Sequence, residues 1–383
     1  MFFAEAFGFW VVTRYEDVFT VLKDEDAFSS VDALRSSSDE LPGEVKAVLA
    51  EGWQEMPVII DTDPPLHARI RGLVNRAFTP RRVAELEPCI AALAAELVNG
   101  FAADGHADII ERFAWPLPLN VMGDLLGLPR EDLPQIHRWS NDWLSLFQPV
   151  DSVQRQIEMA RSVVALQRYF QDALEERARS PRDDLMSALL EAQAASEEPL
   201  TMVEVMGVPL DLVIAGHVTV TRAIGSALVL LLEHPEQLHD VREIPDLLPA
   251  AIEEVLRMES PAQGLFRKTT REIELGGVML PKGARIMVHF ASANRDELQF
   301  GEPDRFDVRR PDVGRHLAFG KGIHFCIGAA LARLELRIAL EILFDRLPGL
   351  RLSSRLQPGR ERIFFARGYE RLPLEWEPSG VAV

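Results

Sequence analysis

The chain has 383 residues, 47% of them hydrophobic, with 41 basic against 59 acidic side chains and a formal net charge of −18. That length and apolar content support a large buried core, and so acidic a chain excludes nucleic acid as a main partner. Cys89 and Cys326 are too few for a disulfide framework, no secretory leader is visible, and the longest unbroken apolar run, residues 223–232, is far below the ~20 residues of a membrane span; the expectation is a cytoplasmic protein with no membrane contact.

In chain order, Phe9-Trp10-Val11-Val12-Thr13 after Gly8 predicts a strand, and residues 17–23 a short helix. Residues 31–60 are weakly periodic and read as a long loop with a helical turn or two. Beyond Pro64-Pro65, apolar spacing predicts helices over 67–78, 83–102, 133–147, 153–180 and 183–194. The longest is expected over 202–233, ending at His234-Pro235; Pro209 either kinks it or marks its true start. It is apolar on nearly every face and therefore expected to be buried. A helix over 245–258 stops before Ser260-Pro261. Residues 274–278 read as a hairpin, 285–290 as a buried strand, and 294–314 as irregular. A last helix is expected from Cys326 to 346, followed by strand-like pieces around 363–365 and 372–376. No linker or repeat divides the chain, so the reading is one domain, 1–383, mainly α with a minor β part.

The most informative segment is Phe319-Gly320-Lys321-Gly322-Ile323-His324-Phe325-Cys326-Ile327-Gly328. Two glycines one residue apart let the backbone turn tightly and approach a flat ligand. A cysteine at the start of a long helix meets unpaired N–H groups and a partial positive charge, which favour thiolate over thiol. A lone cysteine is most often a small buried apolar side chain, and Cys89 is read that way. The context of Cys326 points instead to a thiolate ligand for haem iron.

This segment resembles the haem-binding signature of the cytochrome P-450 family, and the likeness extends in order along nearly the whole chain. It implies a single-domain P-450 fold with haem b (iron protoporphyrin IX) between a long central helix and the Cys326-bearing loop. Phe319 and His324 would flank the cofactor. Glu254-Val255-Leu256-Arg257 resembles the family's Glu-x-x-Arg, and Arg305, in Pro303-Asp304-Arg305-Phe306, its third structural partner. His67 and Arg71, one helical turn apart, resemble a propionate-binding pair, with Arg267 and His324 as the other propionate partners. Ala215-Gly216-His217-Val218-Thr219 resembles the oxygen-activation stretch: Ala215 and Gly216 make room, and Thr219 helps deliver protons. Here Val218 replaces the family's usual acid. Three readings stay open: water and Thr219 suffice, the substrate supplies a proton donor, or the reaction is not ordinary hydroxylation. The family also has a further helix and strand before the segment at Phe9, where this chain has eight residues; that puts the stability of the N-terminal sheet in question.

By the same resemblance a mostly apolar substrate pocket draws on Ile214, Val218, Leu265, Phe364 and Phe365, with Gln263 as a polar anchor. The implied activity is a monooxygenase acting on a natural-product scaffold. No nicotinamide fingerprint is present, so electrons from NAD(P)H would arrive through an external ferredoxin and its reductase. Arg69, Arg76, Arg81, Arg82, Lys321 and Arg333 are candidates for a basic docking face. The chain is expected to be a monomer. The alternatives are a peroxide-using or radical-coupling haem enzyme of the same fold and, from a different class, a non-catalytic haem- or ligand-binding protein.

Overall fold

The computed structural model describes residues 1–31, 41–53, 56–146, 152–361 and 365–378, and in it the apolar periodicity is realised mainly as helix. The chain forms two compact units, one of residues 1–29, 80–118 and 219–383 and one of 30–79 and 119–218. Two of the four boundaries between these stretches fall inside helices, Pro116–Leu126 and Met202–Glu233.

The first unit holds the main sheet. Its five strands run in the order Phe2–Ala4, Phe9–Val12, Arg285–His289, Gly264–Thr269, Phe28–Ser29. All neighbours are antiparallel except Phe9–Val12 with Arg285–His289. Val12, Ile286 and Val288 point into a core with Val18, Phe28 and Phe300. Residues 2–4 were not anticipated as a strand; Gly8, at φ +71°, turns the chain so that Phe2 pairs with Val11. The short N-terminal segment thus supplies an edge strand to the sheet. Gly276 and Gly277, both at positive φ, close the hairpin of Ile273–Leu275 and Val278–Leu280. Helix Leu247–Met258 buries Leu248, Ala251, Ile252 and Val255, the spacing of one helical face.

The second unit is built of helices. Leu133–Ser145 packs on Val153–Arg179, which is capped by Ser152 accepting from Arg155 N–H at 3.3 Å. Asp184 caps Leu185–Ala194 and also pairs with buried Arg177 at 2.8 Å. Pro209 lies inside the 32-residue helix Met202–Glu233 rather than at its start. At Gly207 a Cβ would collide with the carbonyl of Pro57, so only glycine lets the segment around Ile59 lie against this helix.

Two sequence expectations change. The helix expected over 83–102 is two helices, Pro80–Glu85 and Glu87–Asn99, with a proline in the first turn of the second. Counting only an unbroken apolar run also understated the long helices. Residues 80–104 and Met202–Glu233 are both long and apolar enough to cross a membrane by length and composition. The second is 83% buried inside the protein over its most apolar window, as a core helix is.

Candidate functional site

The cysteine loop takes its shape from its glycines. Gly320 and Gly322 adopt φ +67° and +70°, and a Cβ on Gly322 would run into the carbonyl of Leu22. The loop closes on itself: Cys326 N–H donates to Phe319 O at 2.9 Å, and Phe325 N–H to Gly322 O at 3.1 Å. The following helix begins at Ala329, three residues later than expected, with Gly328 as its N-cap. The apolar spacing continues through residues 326–328, but the Cys326 amide serves the loop, and Ala329 N–H reaches back to Cys326 O at 3.4 Å. Cys326 therefore stands ahead of the helix and is exposed, not packed as a core cysteine would be. Cys89, read from sequence as a buried apolar residue, is exposed as well.

The loop is held from both ends by Glu253. Arg333, on the helix after Cys326, grips this carboxylate at 2.6 and 2.7 Å and lies 4.4 Å from the centre of the Phe319 ring. His316 accepts from Ala318 N–H at 3.2 Å through Nδ1, so Nε2 is the donor to Glu253 at 3.0 Å. Burial raises the Glu253 pKa, but the bonds from Arg333 and His316 outweigh it and hold it down at about 2. Asn294 adds a link: its Oδ1 accepts from Leu317 N–H at 2.6 Å and its Nδ2 donates to Ser260 at 2.9 Å.

Glu254 and Arg257 form a fully buried pair, with contacts of 2.7 and 2.9 Å. Their partner is Arg310, not Arg305. Arg310 Nε lies 3.1 Å from both Glu254 oxygens, and the pair is nearly fully buried. Arg305 instead reaches solvent and pairs with Glu302 at 3.1 Å; only its backbone oxygen meets the cluster, accepting from Arg310 at 2.9 Å. The reason is a turn: Arg310 N–H donates to Asp307 O at 3.0 Å, which swings the later arginine back over the carboxylate. One carboxylate faces two guanidiniums, and the excess positive charge is met by the carbonyls of Asn294, Pro303, Gly301 and Glu302.

Other predicted residues of this unit are placed as follows. Arg267 is buried on strand Gly264–Thr269, its Nη1 donating to Phe266 O at 2.6 Å. Thr219 is half-buried on the long helix, and His324 half-buried in the cysteine loop. Gln263 is buried, and its amide nitrogen donates to Ser260 O at 2.6 Å. Leu265 packs on the sheet core, and Phe365 on the Phe9, Val11 and Met287 cluster. Phe364 lies outside the described residues. Of the proposed docking arginines, Arg333 is committed to Glu253, and Arg69, in the second unit, donates to the carbonyls of Glu198 and Pro199 at 3.0 Å. A cleft of about 1030 Å³ lined by residues near the C-terminal strands, such as Arg355 and Trp376, contains none of the predicted site residues.

In the second unit, His67 is buried and Arg71 half-buried, one turn apart on helix Leu66–Asn75. On the long helix Ile214, His217 and Val218 are buried while Ala215 stands exposed. Gly216 has a packing reason of its own: a Cβ there would sit 2.7 Å from Met122 Sδ. Beside it runs a hydrogen-bonded chain that no residue spacing announced. His217 Nδ1 faces Val213 O, leaving Nε2 to accept from His137 Nδ1 at 3.4 Å, and Asn141 donates to His137 at 3.1 Å. Burial, helped by Arg138, lowers the His137 pKa to about 4.

Glu335, nine residues after Cys326, is fully buried, and among the described residues neither carboxylate oxygen has a hydrogen-bond partner. Burial alone raises its pKa well above the usual value. The folded protein therefore keeps this proton where the unfolded chain has lost it, and stability falls as pH rises above the ordinary carboxylate range. Glu335→Leu is expected to stabilise by about 1–3 kcal/mol near neutral pH, with the gain shrinking toward pH 4. Urea melts at pH 4.5 and pH 8 check this; a variant less stable than the parent at pH 8 would contradict it.

An exposed cysteine on a glycine-turned loop, locked in place by buried carboxylate–guanidinium clusters within a mainly helical chain, is the arrangement of a haem-thiolate protein. The family model for cytochrome P-450 matches residues 135–348, and the chain belongs to the cytochrome P-450 family. It is 38% identical to the 6-deoxyerythronolide B hydroxylase of Saccharopolyspora erythraea, over 95% of this chain and 89% of that protein. It is 36% identical to the mycinamicin IV hydroxylase/epoxidase of Micromonospora griseorubida, over 96% of this chain and 89% of the relative. The solved structure of cytochrome P-450 CREJ with (4-ethylphenyl) dihydrogen phosphate superposes with a TM-score of 0.94 at 32% identity, covering 98% of this chain and 94% of that one. The protein is thus an oxidoreductase, a P-450 monooxygenase, of a family that binds haem. The residues of the first unit fit such a group: the Cys326 thiol is exposed on a loop that its glycines and Glu253 hold in place.

Proposed function

We propose that this chain is a haem-thiolate monooxygenase that inserts one oxygen atom from O2 into a mostly apolar natural-product intermediate. Electrons come from NAD(P)H through an external ferredoxin and its reductase, in the cytoplasm, and residues 1–383 act together as one haem domain. The observation that carries this reading is the preorganised, exposed Cys326 on its locked loop. The identities of relatives that are named hydroxylases, among them a post-tailoring hydroxylase of himastatin biosynthesis, support the substrate class.

Cys326 supplies the thiolate ligand, and His67, Arg71, Arg267 and His324 hold the propionates. When bound there, haem supplies the oxygen activation. Glu253 and Arg333 fix the position of the sulfur by fixing the loop on either side of it. Thr219 would present the hydroxyl that holds and passes a proton to the site, while buried Val218 offers none. Water and Thr219 therefore carry the protons, or a hydroxyl of the substrate does. Val218 also supports a second reading, a peroxide-using or radical-coupling enzyme.

Thr219→Val is expected to lower the fraction of NADH consumption that ends in product by roughly tenfold or more, with haem content unchanged. Turnover is measured with NADH, ferredoxin and reductase, and again with hydrogen peroxide. Unchanged coupling in the variant, or turnover with peroxide alone, would favour the second reading.

A further inference from the structure

Two glycines let the C-terminal segment lie against the long helix just beyond Thr219. A Cβ on Gly368 would stand 2.9 Å from Arg222 Cβ and 3.2 Å from its Cδ, so only glycine admits the arginine stem there. On the helix, a Cβ on Gly225 would stand 3.1 Å from Ile110 and 3.5 Å from the Tyr369 ring. At this junction Arg222 is buried, and its Nε donates to Glu361 Oε2 at 2.7 Å. Glu361 N–H in turn donates to Gly368 O at 3.1 Å.

The rest of the segment is fixed to a different element. Arg367 N–H donates to Pro261 O at 2.9 Å, and Gln263 N–H to Phe365 O at 2.8 Å. Ala262 and Ala366 form an antiparallel bridge. Arg367 and Arg360 reach the Glu259 carboxylate at 3.0 and 3.2 Å. Residues 365–368 therefore ride with the chain that leads into strand Gly264–Thr269. Among the described residues, the ion pair that ties this segment to the long helix is Arg222 with Glu361.

Such a pair is a poor source of stability. Desolvating both charges costs about as much as their attraction returns, and apolar residues of similar volume often do as well or better. What the pair supplies is one geometry, because a guanidinium and a carboxylate that part company here both stay buried without their partner. Arg222 also stands three residues beyond Thr219, a neighbouring position on the helix surface.

We propose that Arg222 is a positioning residue: through Glu361 it sets how close residues 365–368 stand to the turn of the long helix that carries Thr219, and so the width of the substrate site there. The proposal rests on the monooxygenase reading above, with Thr219 in the site and the segment at Phe365 beside it, and it adds a residue that decides which molecules fit.

The test uses holoenzyme whose ferrous–carbon monoxide band has first shown thiolate ligation, so that a failed haem reading is recognised beforehand. Imidazole and 4-phenylimidazole, iron ligands of different reach, are titrated spectroscopically, and no turnover is needed. In Arg222→Met/Glu361→Leu both charges leave together, and the melting temperature is expected to hold or rise. Imidazole affinity is expected to stay within about twofold while 4-phenylimidazole affinity falls about tenfold, the scale of a poorly filled apolar site. Glu361→Gln keeps an acceptor for Arg222 Nε and is expected to hold 4-phenylimidazole affinity within about twofold of the parent. Parallel losses for the two ligands, an unchanged 4-phenylimidazole affinity in the double variant, or an equal loss in Glu361→Gln overturns the proposal. A double variant that melts well below the parent would show a purely structural pair and overturns it too.

Discussion

Arg310→Leu is expected to destabilise the protein by about 3–5 kcal/mol, whereas Arg305→Leu costs less than about 1 kcal/mol. The two arginines stand five residues apart, and only one enters the interior. Arg310 contacts both oxygens of Glu254 and donates to the carbonyls of Gly301, Glu302 and Arg305. Leucine removes every one of these donors at once and strips the buried Glu254–Arg257 pair of its second guanidinium. The side chain of Arg305 meets only Glu302, at the surface, where solvent screens the pair. Because Asn294 joins the same cluster to the cysteine loop through Leu317 N–H, haem retention should fall with stability in Arg310→Leu and not in Arg305→Leu. Chemical denaturation with parallel haem absorbance distinguishes the two; equal losses would show that the buried cluster is not what holds the loop.

The second large effect is expected at the sulfur. Cys326→His replaces a thiolate with a neutral nitrogen ligand on an unchanged loop, since the loop's own bonds run through backbone: Cys326 N–H to Phe319 O and Phe325 N–H to Gly322 O. The variant should fold with the parent's thermal stability to within about 1 kcal/mol, as expected for an exposed position. It should lose monooxygenation by about 10³-fold or more, the scale of losing a dominant electrostatic contribution to a barrier. A variant that retained turnover would place the iron ligand elsewhere. Cys89→Ala serves as the control and is expected to leave activity unaltered.

Why some of this was legible in the sequence, and some not, is a matter of what spacing encodes. The glycine pair before Cys326 announces a loop that only glycine can make, and both glycines do take positive φ. The helical stripe of Leu247–Met258 likewise announces which face is buried, and Glu254 and Arg257 stand together as their three-residue offset requires. Arg310 was missed because its approach to Glu254 depends on a turn at Asp307, and the neighbouring Arg305 stands closer to the expected motif. The start of the last helix was misplaced because residues 326–328 continue its apolar rhythm while the Cys326 amide serves the loop. Glu253 and His137 were silent for a third reason. A charged or polar residue in a helical pattern reads as a solvated position, and only tertiary packing turns it into a clamp on the cysteine loop or a partner for His217.

The account stands on a thiolate at Cys326, and the ferrous–carbon monoxide difference spectrum of the purified holoprotein tests it most directly. The parent is expected to give the red-shifted band of thiolate ligation, and Cys326→His to give the band of nitrogen ligation in its place. A parent spectrum already showing histidine ligation, or no carbon monoxide band at all, would contradict it.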